Sequence, residues 1–574
     1  MTQRTLSHGG YGSPTEPGQG LEAINVRSLF GYMFPQLASD PSKRLPEDHP
    51  DSVRKTDSVR KSLKALGQLM ASQGADKGDS QTVPAGYTYW GQFIDHDITA
   101  NDLSPLKGND VIDDFTPMTP NAVINKVVNM RRPALDLDSV FGDGPRGEAA
   151  HFYEADGIRL KIGDNDRNAP GDTPPPKDPV TRMPDLKRDL PRNANRAPLI
   201  GDTRNDENLV VAQLHVGFMR FYNAVVSWLS TNRGLAGDML LGESVRVTRW
   251  QYQWLVVHDY LKTVAQENVV TDILEKGAKF YRPSINDPFE PFMPLEFSAA
   301  AFRFGHSMVR AVYDFNRNFG DNPPPSGNPG NVLPNAPFEL LFQFTGTGRF
   351  DGRFDGVTQR QRLPHNWIIE WDRFFNKQDP DTRHRARRFD TGLALPLATM
   401  INETVPNPGQ PSLAGEQKAI MEHLAMRNLL RGYLFSLPTG QAVAKAMGET
   451  ELDAADLKAK IDPHMTQEEQ ELAIRTNDLL ESEDFLFLKK TPLWYYILKE
   501  AEVKAGGNTL GPMGSRIVAE TIIGLIRADR NSYLNSAQPW EPSLGVLLPP
   551  DQTHQEPRPI RTIMDMLRFA GVAV

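Results

Sequence analysis

Gln92, Asp95, His96 and Asp97 lie close together in an otherwise apolar, aromatic stretch. An unpaired charge is costly in apolar surroundings, so these side chains need partners. In a helix, the first three would share one face, whereas Asp97 would point about 100° away. One turn would then offer an amide, a carboxylate and an imidazole to one ligand and a single carboxylate to something behind the helix. An Asp-His-Asp triplet is also typical of a hydrogen-bonded structural pair, so the rest of the chain must decide.

Three further segments place polar side chains where a buried cofactor would need them. Arg204 and Glu207 come directly before a long apolar helical pattern. His306 follows a glycine, which lets a flat group approach closely, and Asn428 lies inside another helical pattern. Each has a structural alternative: a helix-entry ion pair, a satisfied core histidine and a helix-bending polar residue. Their occurrence in one chain favours a functional interpretation.

Composition excludes several classes of protein. The 574 residues are 39% hydrophobic and 24% charged, which is typical of a globular protein with an ample core. The net charge of −9 has no compensating basic block, so neither nucleic acid nor an anionic membrane surface is expected as a partner. The absence of cysteine excludes disulfides, thiolate metal sites and cysteine nucleophiles.

Apolar runs and Pro/Gly-rich stretches predict the organisation of the chain. No apolar run is long enough to span a membrane, and the start lacks the core of a signal peptide, which predicts a cytoplasmic protein or one secreted without a recognisable signal. We expect an N-terminal arm over residues 1–60 and one domain over 61–574, with long Pro/Gly-rich loops at 164–199 and 320–337. Apolar spacing predicts core helices at 62–73, 211–229, 250–261, 417–431, 492–504 and 513–527.

The four polar stretches, in this order, resemble the animal haem peroxidase superfamily, with the closest similarity to its bacterial peroxidases. Gln-x-x-Asp-His-Asp at 92–97 combined with Phe-Arg-Phe-Gly-His at 302–306 is far more specific than either part. Segments 133–142, 436–441 and 510–520 are also similar. The resemblance implies a mainly α fold, a single large domain of the myeloperoxidase-like type with very little β structure.

By this resemblance the polar residues take roles around haem b. His96 corresponds to the distal histidine, Arg204 to the distal arginine and Gln92 to the glutamine near the distal water and halide position. His306 corresponds to the proximal iron ligand, with Asn428 accepting a hydrogen bond from its other ring nitrogen. Two acids match those that are ester-linked to haem methyl groups in vertebrate members, and two arginines lie where haem propionates are held; these are Asp95, Glu207, Arg303 and Arg431.

The resemblance also implies a calcium site behind the distal helix. Asp97 would bind the ion together with a loop that supplies Asp136, Asp138 and the carbonyl groups of Arg132 and Ala134. Carboxylate and carbonyl oxygens are the ligands that calcium prefers. Arg132 stands where a threonine hydroxyl is common in the family, which puts calcium affinity in doubt.

The implied function is a haem peroxidase that reduces hydrogen peroxide and oxidises halides or thiocyanate, bromide and iodide among them, or phenolic and other aromatic donors. An imidazole suits the transfer of the peroxide proton, and a fixed guanidinium suits the developing negative charge. Asn208 replaces the methionine that forms a third haem link in myeloperoxidase, so that link is not expected.

Two alternatives stay open. The first is a fatty-acid dioxygenase on the same scaffold, against which Arg303 argues because it occupies the place of the radical-forming tyrosine. The second is a catalytically silent haem-containing adhesion or structural protein, against which the intact His96 and Arg204 argue.

Overall fold

A computed structural model describes residues 28–46, 53–72, 74–75, 77–102, 115–166, 185–284, 291–316, 336–346, 361–400, 415–482 and 486–573. The fold is mainly α, with 53% helix and 8% strand in a single domain, which confirms the predicted fold class. Residues 167–184 of the predicted loop at 164–199 and residues 320–335 of the predicted loop at 320–337 lie outside the described residues.

The longer helices are labelled in chain order. They are α1 Val53–Met70, α2 Gly86–Ile98, α3 Pro120–Lys126, α4 Leu209–Arg233, α5 Gly237–Leu255, α6 Glu267–Lys276, α7 Gly415–Glu422, α8 Leu424–Leu434, α9 Gly440–Met447, α10 Gln467–Glu481, α11 Leu493–Ala505, α12 Pro512–Ala528 and α13 Ile563–Phe569. A π-helical segment, Val256–Leu261, continues α5, and two 3₁₀ helices important for the site are Thr203–Asp206 and Ala301–His306.

The strands are short. They are β1 Ser28–Gly31, β2 Asp79–Pro84, β3 Asn101–Asp102, β4 Val128–Asn129, β5 Met293–Pro294, β6 Val312–Tyr313, β7 Ala336–Pro337, β8 Arg385–Arg387, β9 Leu547–Leu548 and β10 Arg558–Pro559. A four-stranded sheet has the order β3-β4-β1-β5, in which only the β1–β5 pair is parallel. The pairs β2–β8, β6–β7 and β9–β10 are antiparallel.

The predicted core helices are present, with different ends. The pattern at 62–73 belongs to the longer helix α1. The pattern at 250–261 includes a π-helical turn after Leu255. The pattern at 417–431 is divided between α7 and α8 at His423, whose side chain caps α8 by accepting a hydrogen bond from the backbone N–H of Met426 at 3.4 Å.

Helix α2 lies in the middle of the core. It has no exposed residue, and its ring of Phe93 stacks on Phe218 of α4 with centroids 4.5 Å apart. It ends at Ile98, and the hydroxyl of the C-cap residue Thr99 donates to the Asp95 carboxylate at 2.9 Å. On another face, Gly91 lies so close to Tyr260 that an added Cβ would stand 2.3 Å from the tyrosine oxygen. Glycine therefore permits the π-helical segment to approach α2.

The described part of the N-terminal arm packs on the body. Strand β1 pairs with β4 and β5, and the backbone N–H groups of Met33 and Phe34 donate to the buried carboxylate of Glu296 at 2.8 and 3.0 Å. Burial raises the pKa of Glu296 to about 7, although these hydrogen bonds oppose the shift. The predicted boundary between the arm and the domain at residue 60 falls within α1, and it stays a prediction.

Among the described residues, helix α4 is long and apolar enough to cross a membrane. Of its most apolar window, 83% is buried inside the protein. Such burial is typical of a core helix, and α4 contacts α2, α5 and α13. Its length and composition alone are therefore weak evidence for a membrane span.

Candidate active site

A cavity separates α2 from the 3₁₀ helix Ala301–His306. Gln92, Asp95 and Glu207 line one side, and Arg303 and His306 line the other. The remaining walls are largely apolar and include Val309, Phe338, Leu341, Phe342, Leu397, Met400 and Leu424. The fold thus brings residues from three of the four predicted stretches to one enclosed space.

His96 and Arg204 are buried next to the lining residues. His96 is completely buried, and its Nε2 lies 3.9 Å from Oε2 of Glu207. Its Nδ1 lies 2.9 Å from Oδ1 of Asn205, whose Nδ2 lies 3.0 Å from Nδ1 of His215. An amide oxygen only accepts hydrogen bonds, so Nδ1 of His96 carries the proton and Nε2 has the lone pair. Asn205 therefore selects the histidine tautomer that can act as a base towards the cavity.

His215 is the neutral end of this hydrogen-bonded chain. Burial lowers its pKa to about 3, so the ring is uncharged at neutral pH. With the Asn205 amide oriented as in the structure, its Nδ2 donates a hydrogen bond to Nδ1 of His215. Helix α4 carries His215, and Asn208 begins that helix by accepting from the backbone N–H of Val211 at 3.0 Å.

Arg204 is held by Asp202 and by the backbone of α2. Its Nη2 donates to Oδ2 of Asp202 at 2.6 Å and to the carbonyl of His96 at 2.8 Å, while Nε donates to Oδ1 of Asp202 at 3.1 Å. Burial alone would raise the pKa of Asp202, but Arg204 and Arg131 hold it well below its usual range. Within the described residues, Nη1 of Arg204 donates to no acceptor. The guanidinium is thus fixed and charged beside His96.

The two predicted ester-forming acids lie at the cavity but differ in their contacts. Glu207 has Oε2 3.5 Å from Nε2 of Gln92, and Asn208 donates to Oε1 of Gln92 at 2.9 Å. Asp95 forms an ion pair with Arg303 across the cavity at 3.4 Å, in addition to its bond from Thr99. Arg303 therefore links α2 to the 3₁₀ helix that carries His306.

Asn428 lies beside His306, but the structure places its amide nitrogen at the imidazole and not the accepting oxygen that the resemblance implies. The Nδ2 atom of Asn428 on α8 lies 2.7 Å from Nδ1 of His306. A 180° turn of the amide would place its oxygen there, to accept from an Nδ1–H and leave Nε2 as a metal ligand. The indole of Trp494 donates to the Arg303 carbonyl at 3.2 Å and lies edge-on to the His306 ring. Arg431 is buried three residues beyond Asn428 on α8 and is not among the cavity-lining residues.

The cavity has features that fit a flat aromatic cofactor. A Cβ added at Gly305 would meet no atom within 4 Å, so the space beside His306 is open. An imidazole that is fixed through its other nitrogen, apolar walls and a nearby arginine are what an iron porphyrin with propionates requires. The residues of this chain therefore fit haem.

Behind α2, three buried carboxylates converge. Oxygen atoms of Asp97, Asp136 and Asp138 all lie within 4.8 Å of one another. Oxygens bound to one calcium ion at 2.3–2.6 Å can be up to about 5 Å apart, so this spacing fits calcium. Burial is the main cause that raises the pKa of Asp97 to about 7, and the nearby carboxylate of Asp136 adds to the shift. Asp97 points away from His96, as the helical geometry predicts.

The loop that carries these acids packs against the segment that carries Arg204. Gly201 donates its backbone N–H to the carbonyl of Ser139 at 2.9 Å, and a Cβ there would stand 2.4 Å from the Asp138 carbonyl. Arg132 lies 3.5 Å from Asp136 with its side chain 49% exposed. The side chain of Ala134 offers no ligand atom, so its predicted contribution is its carbonyl group alone.

Four residues that the sequence did not single out complete the site: Asp202, Asn205, His215 and Arg131. Asp202 and Asn205 were visible in the Gly201–Asn208 stretch, but nothing local indicates that His215, on the following helix, would face Asn205. Two tyrosines also line the cavity: Tyr260 from the π-helical segment and Tyr89 from α2. Sequence reasoning looked for a cavity tyrosine only beside His306.

Comparison with known proteins agrees with this geometry. The sequence profile described as animal haem peroxidase matches residues 117–332. The match covers less than half of the chain and makes this part of it similar to animal haem peroxidases. The match begins after α2 and includes the loop with Asp136 and Asp138, the 3₁₀ helix with Arg204, and His306.

Curated members of the superfamily match over short segments. A peroxidase-like protein from Margaritifera margaritifera is 30% identical over 122 residues, which is 21% of this chain and 15% of that protein. Peroxidasin from Drosophila melanogaster is 28% identical over 146 residues, or 25% of this chain and 9% of that protein. The aligned segments thus span a small part of these relatives.

Solved structures share the fold over most of the chain. Peroxidase A from Dictyostelium discoideum has a TM-score of 0.51 at 16% identity, covering 82% of this chain and 85% of that one. Fatty acid alpha-dioxygenase from Arabidopsis thaliana has a TM-score of 0.51 at 14% identity, covering 85% of this chain and 71% of that one. The shared fold does not distinguish between the two activities.

Proposed function

We propose that this chain is a member of the animal haem peroxidase superfamily, a haem b peroxidase that reduces hydrogen peroxide and oxidises small anionic or aromatic donors. The observation that carries the proposal is the hydrogen-bonded chain that sets Nε2 of His96 as a base, 3.9 Å from the cavity-lining Glu207. Haem held by His306 would supply iron that can bind peroxide and be oxidised by it.

The distal residues would divide the proton chemistry between them. Nε2 of His96 accepts a proton from hydrogen peroxide and returns it to the departing oxygen. Arg204 offsets the negative charge that develops on that oxygen, and its guanidinium cannot take the proton itself. Gln92, held by Asn208, orients small polar molecules at the cavity wall. Asp202 keeps Arg204 oriented and charged.

The remaining assignments concern the groups that hold haem and calcium. Asn428 would set the orientation and basicity of His306, while Arg303 and Arg431 would neutralise the propionates. Asp95 and Glu207 are the candidates for ester links to haem methyl groups. Asp97, Asp136 and Asp138, with the carbonyls of Arg132 and Ala134, would hold calcium behind α2.

Rapid mixing of the haem-loaded protein with one equivalent of hydrogen peroxide tests the proposal. We expect a fast change of the haem absorption spectrum that reverses when bromide, iodide or a phenol is added. His96→Ala should slow the first step by about 100- to 10,000-fold. His554→Ala, which removes an exposed histidine paired with Asp551, is the matched control and should leave the rate unchanged. A haem-loaded protein that reacts no faster than its His96→Ala variant would refute the proposal.

A fatty-acid dioxygenase is the second candidate because Tyr260 and Tyr89 line the same cavity with apolar walls. Arg303 stands where the resemblance would require the radical-forming tyrosine, so another tyrosine would have to serve. Incubating the haem-loaded protein with peroxide and a long-chain fatty acid under oxygen tests this candidate. Oxygen uptake and an oxygenated lipid, together with a tyrosyl radical signal lost in Tyr260→Phe, would favour it over the peroxidase.

A further inference from the structure

Asp97, Asp136 and Asp138 form an acid cluster behind α2, and the buried guanidinium of Arg131 already occupies part of it. The side chain of Arg131 has no exposed surface, and its Nη2 donates to Oδ1 of Asp138. The same nitrogen lies 3.9 Å from Oδ1 of Asp97, and Nη1 lies 3.7 Å from Oδ2 of Asp202. Arg131 therefore stands between the acid cluster on one side and the carboxylate that holds Arg204 on the other.

The charges of the cluster are not balanced by Arg131 alone. Three carboxylates lie within 4.8 Å of one another, and burying such charge requires compensation by cations or protons. Oδ2 of Asp138 is buried and has no hydrogen-bond partner within the described chain. A divalent ion would offset two of the three negative charges, whereas Arg131 offsets one. The ion would compete with the guanidinium for Asp138 because the two positive charges repel each other.

Asp202 offers Arg131 a second position. Its Oδ2 is within 4 Å of Nη1 of Arg131, so a small rotation of the side chain would convert this contact into a hydrogen bond. A planar guanidinium has donors on several edges and can pass from one carboxylate to the other without losing its charge. Arg131 can thus leave the cluster while it remains paired inside the protein.

We propose that Arg131 and a divalent cation are alternative counter-charges of Asp97, Asp136 and Asp138. Binding of the cation moves the guanidinium from Asp138 to Asp202. Since Asp202 also holds Arg204, cation binding is coupled to the residue that fixes the distal arginine. The inference uses the cation site of the proposed function and does not require peroxidase activity.

Calcium titration of the full-length, haem-free protein by calorimetry tests the competition. Arg131→Met should tighten calcium binding by about tenfold or more, because it removes a competing positive charge from a buried site. Arg132→Met is the matched control: it removes a neighbouring charge that is half exposed, and it should change affinity by less than about threefold. Equal effects of the two variants, or no tightening in Arg131→Met, would overturn the proposal.

A double-mutant cycle tests the movement to Asp202. Asp202→Asn should weaken calcium binding in the wild-type background, because the displaced guanidinium then lacks its second carboxylate. It should have little effect in the Arg131→Met background. An equal loss in both backgrounds would mean that Asp202 acts independently of Arg131 and would overturn this step.

A crystal structure of the wild-type protein with saturating calcium provides a measurement that does not depend on the folding of a variant. The expected result is an ion among the three carboxylates and a hydrogen bond from Arg131 to Asp202. An ion with Arg131 still bonded to Asp138, or no ion at about 10 mM calcium, above the range of weak protein sites, would overturn the proposal. Haem-loaded protein that ignores peroxide would refute only the peroxidase proposal.

Discussion

Asn205→Asp tests the reasoning about the distal base most directly. The amide lies between two histidines, with Oδ1 2.9 Å from Nδ1 of His96 and Nδ2 3.0 Å from Nδ1 of His215. A carboxylate of the same size keeps the acceptor for His96 and adds a buried negative charge. Burial opposes a positive charge on His215, whose pKa is about 3, whereas His96 already has Glu207 nearby. The new charge should therefore favour the protonated form of His96.

The size of the effect follows from the geometry. An opposite charge within 4–6 Å typically raises the pKa of a histidine by about 1–3 units, and each unit is about 1.4 kcal/mol. The rate of the peroxide reaction needs neutral His96 and falls below its pKa. The acid limb of the pH–rate profile should therefore move to higher pH by about 1–3 units.

Stopped-flow rates of the haem-loaded protein with peroxide, measured from pH 4 to pH 9, provide the profile. Asn208→Asp is the matched control, because it makes the same chemical change three residues away at the same cavity. Aspartate caps a helix as well as asparagine does, so α4 should be preserved. This control contacts Gln92 rather than His96, and we expect it to shift the limb by less than about one unit.

An acid limb that does not move in Asn205→Asp, or moves equally in Asn208→Asp, would refute the assigned role of Asn205. A uniformly slow rate with an unchanged pH dependence would indicate that the substitution displaced His96 rather than altered its charge.

Three further predictions follow from individual contacts. The pKa of Glu296 is raised from 4.5 to about 7, so the folded state holds a proton that the unfolded state releases. The unfolding free energy should therefore fall by about 3 kcal/mol from pH 4.5 to 7. Urea denaturation should show that Glu296→Gln does not lose this stability. Gly91→Ala should lower the unfolding free energy by about 1–3 kcal/mol through its clash with Tyr260, while Gly305→Ala should leave stability unchanged and weaken haem uptake; a haem titration separates them. Asn428→Asp should lower the reduction potential of the bound haem by tens of millivolts in a redox titration, because a carboxylate makes the ligand more basic than an amide does.

The sequence was most informative where function depends on residues close together in the chain. The relation of Gln92, Asp95 and His96 on one face and Asp97 on another follows from helical geometry alone, and α2 is a helix as predicted. The mainly α class follows equally from the 3–4 spacing of apolar residues and the scarcity of alternation. Helix ends were less accurate, because caps such as His423 and the π-helical turn after α5 depend on contacts with other elements.

Tertiary structure decided which residues support those at the centre of the site. No local pattern indicates that His215 would complete a chain through Asn205, or that Tyr260 would enter the cavity opposite Gly91. Long-range packing also placed Arg131 among the carboxylates, where the sequence had directed attention to its neighbour Arg132. The sequence by itself determined the chemical groups of the site, because local spacing sets which face each group occupies; only the packed fold decided how those groups are oriented and charged, because burial and neighbours distant in sequence set both.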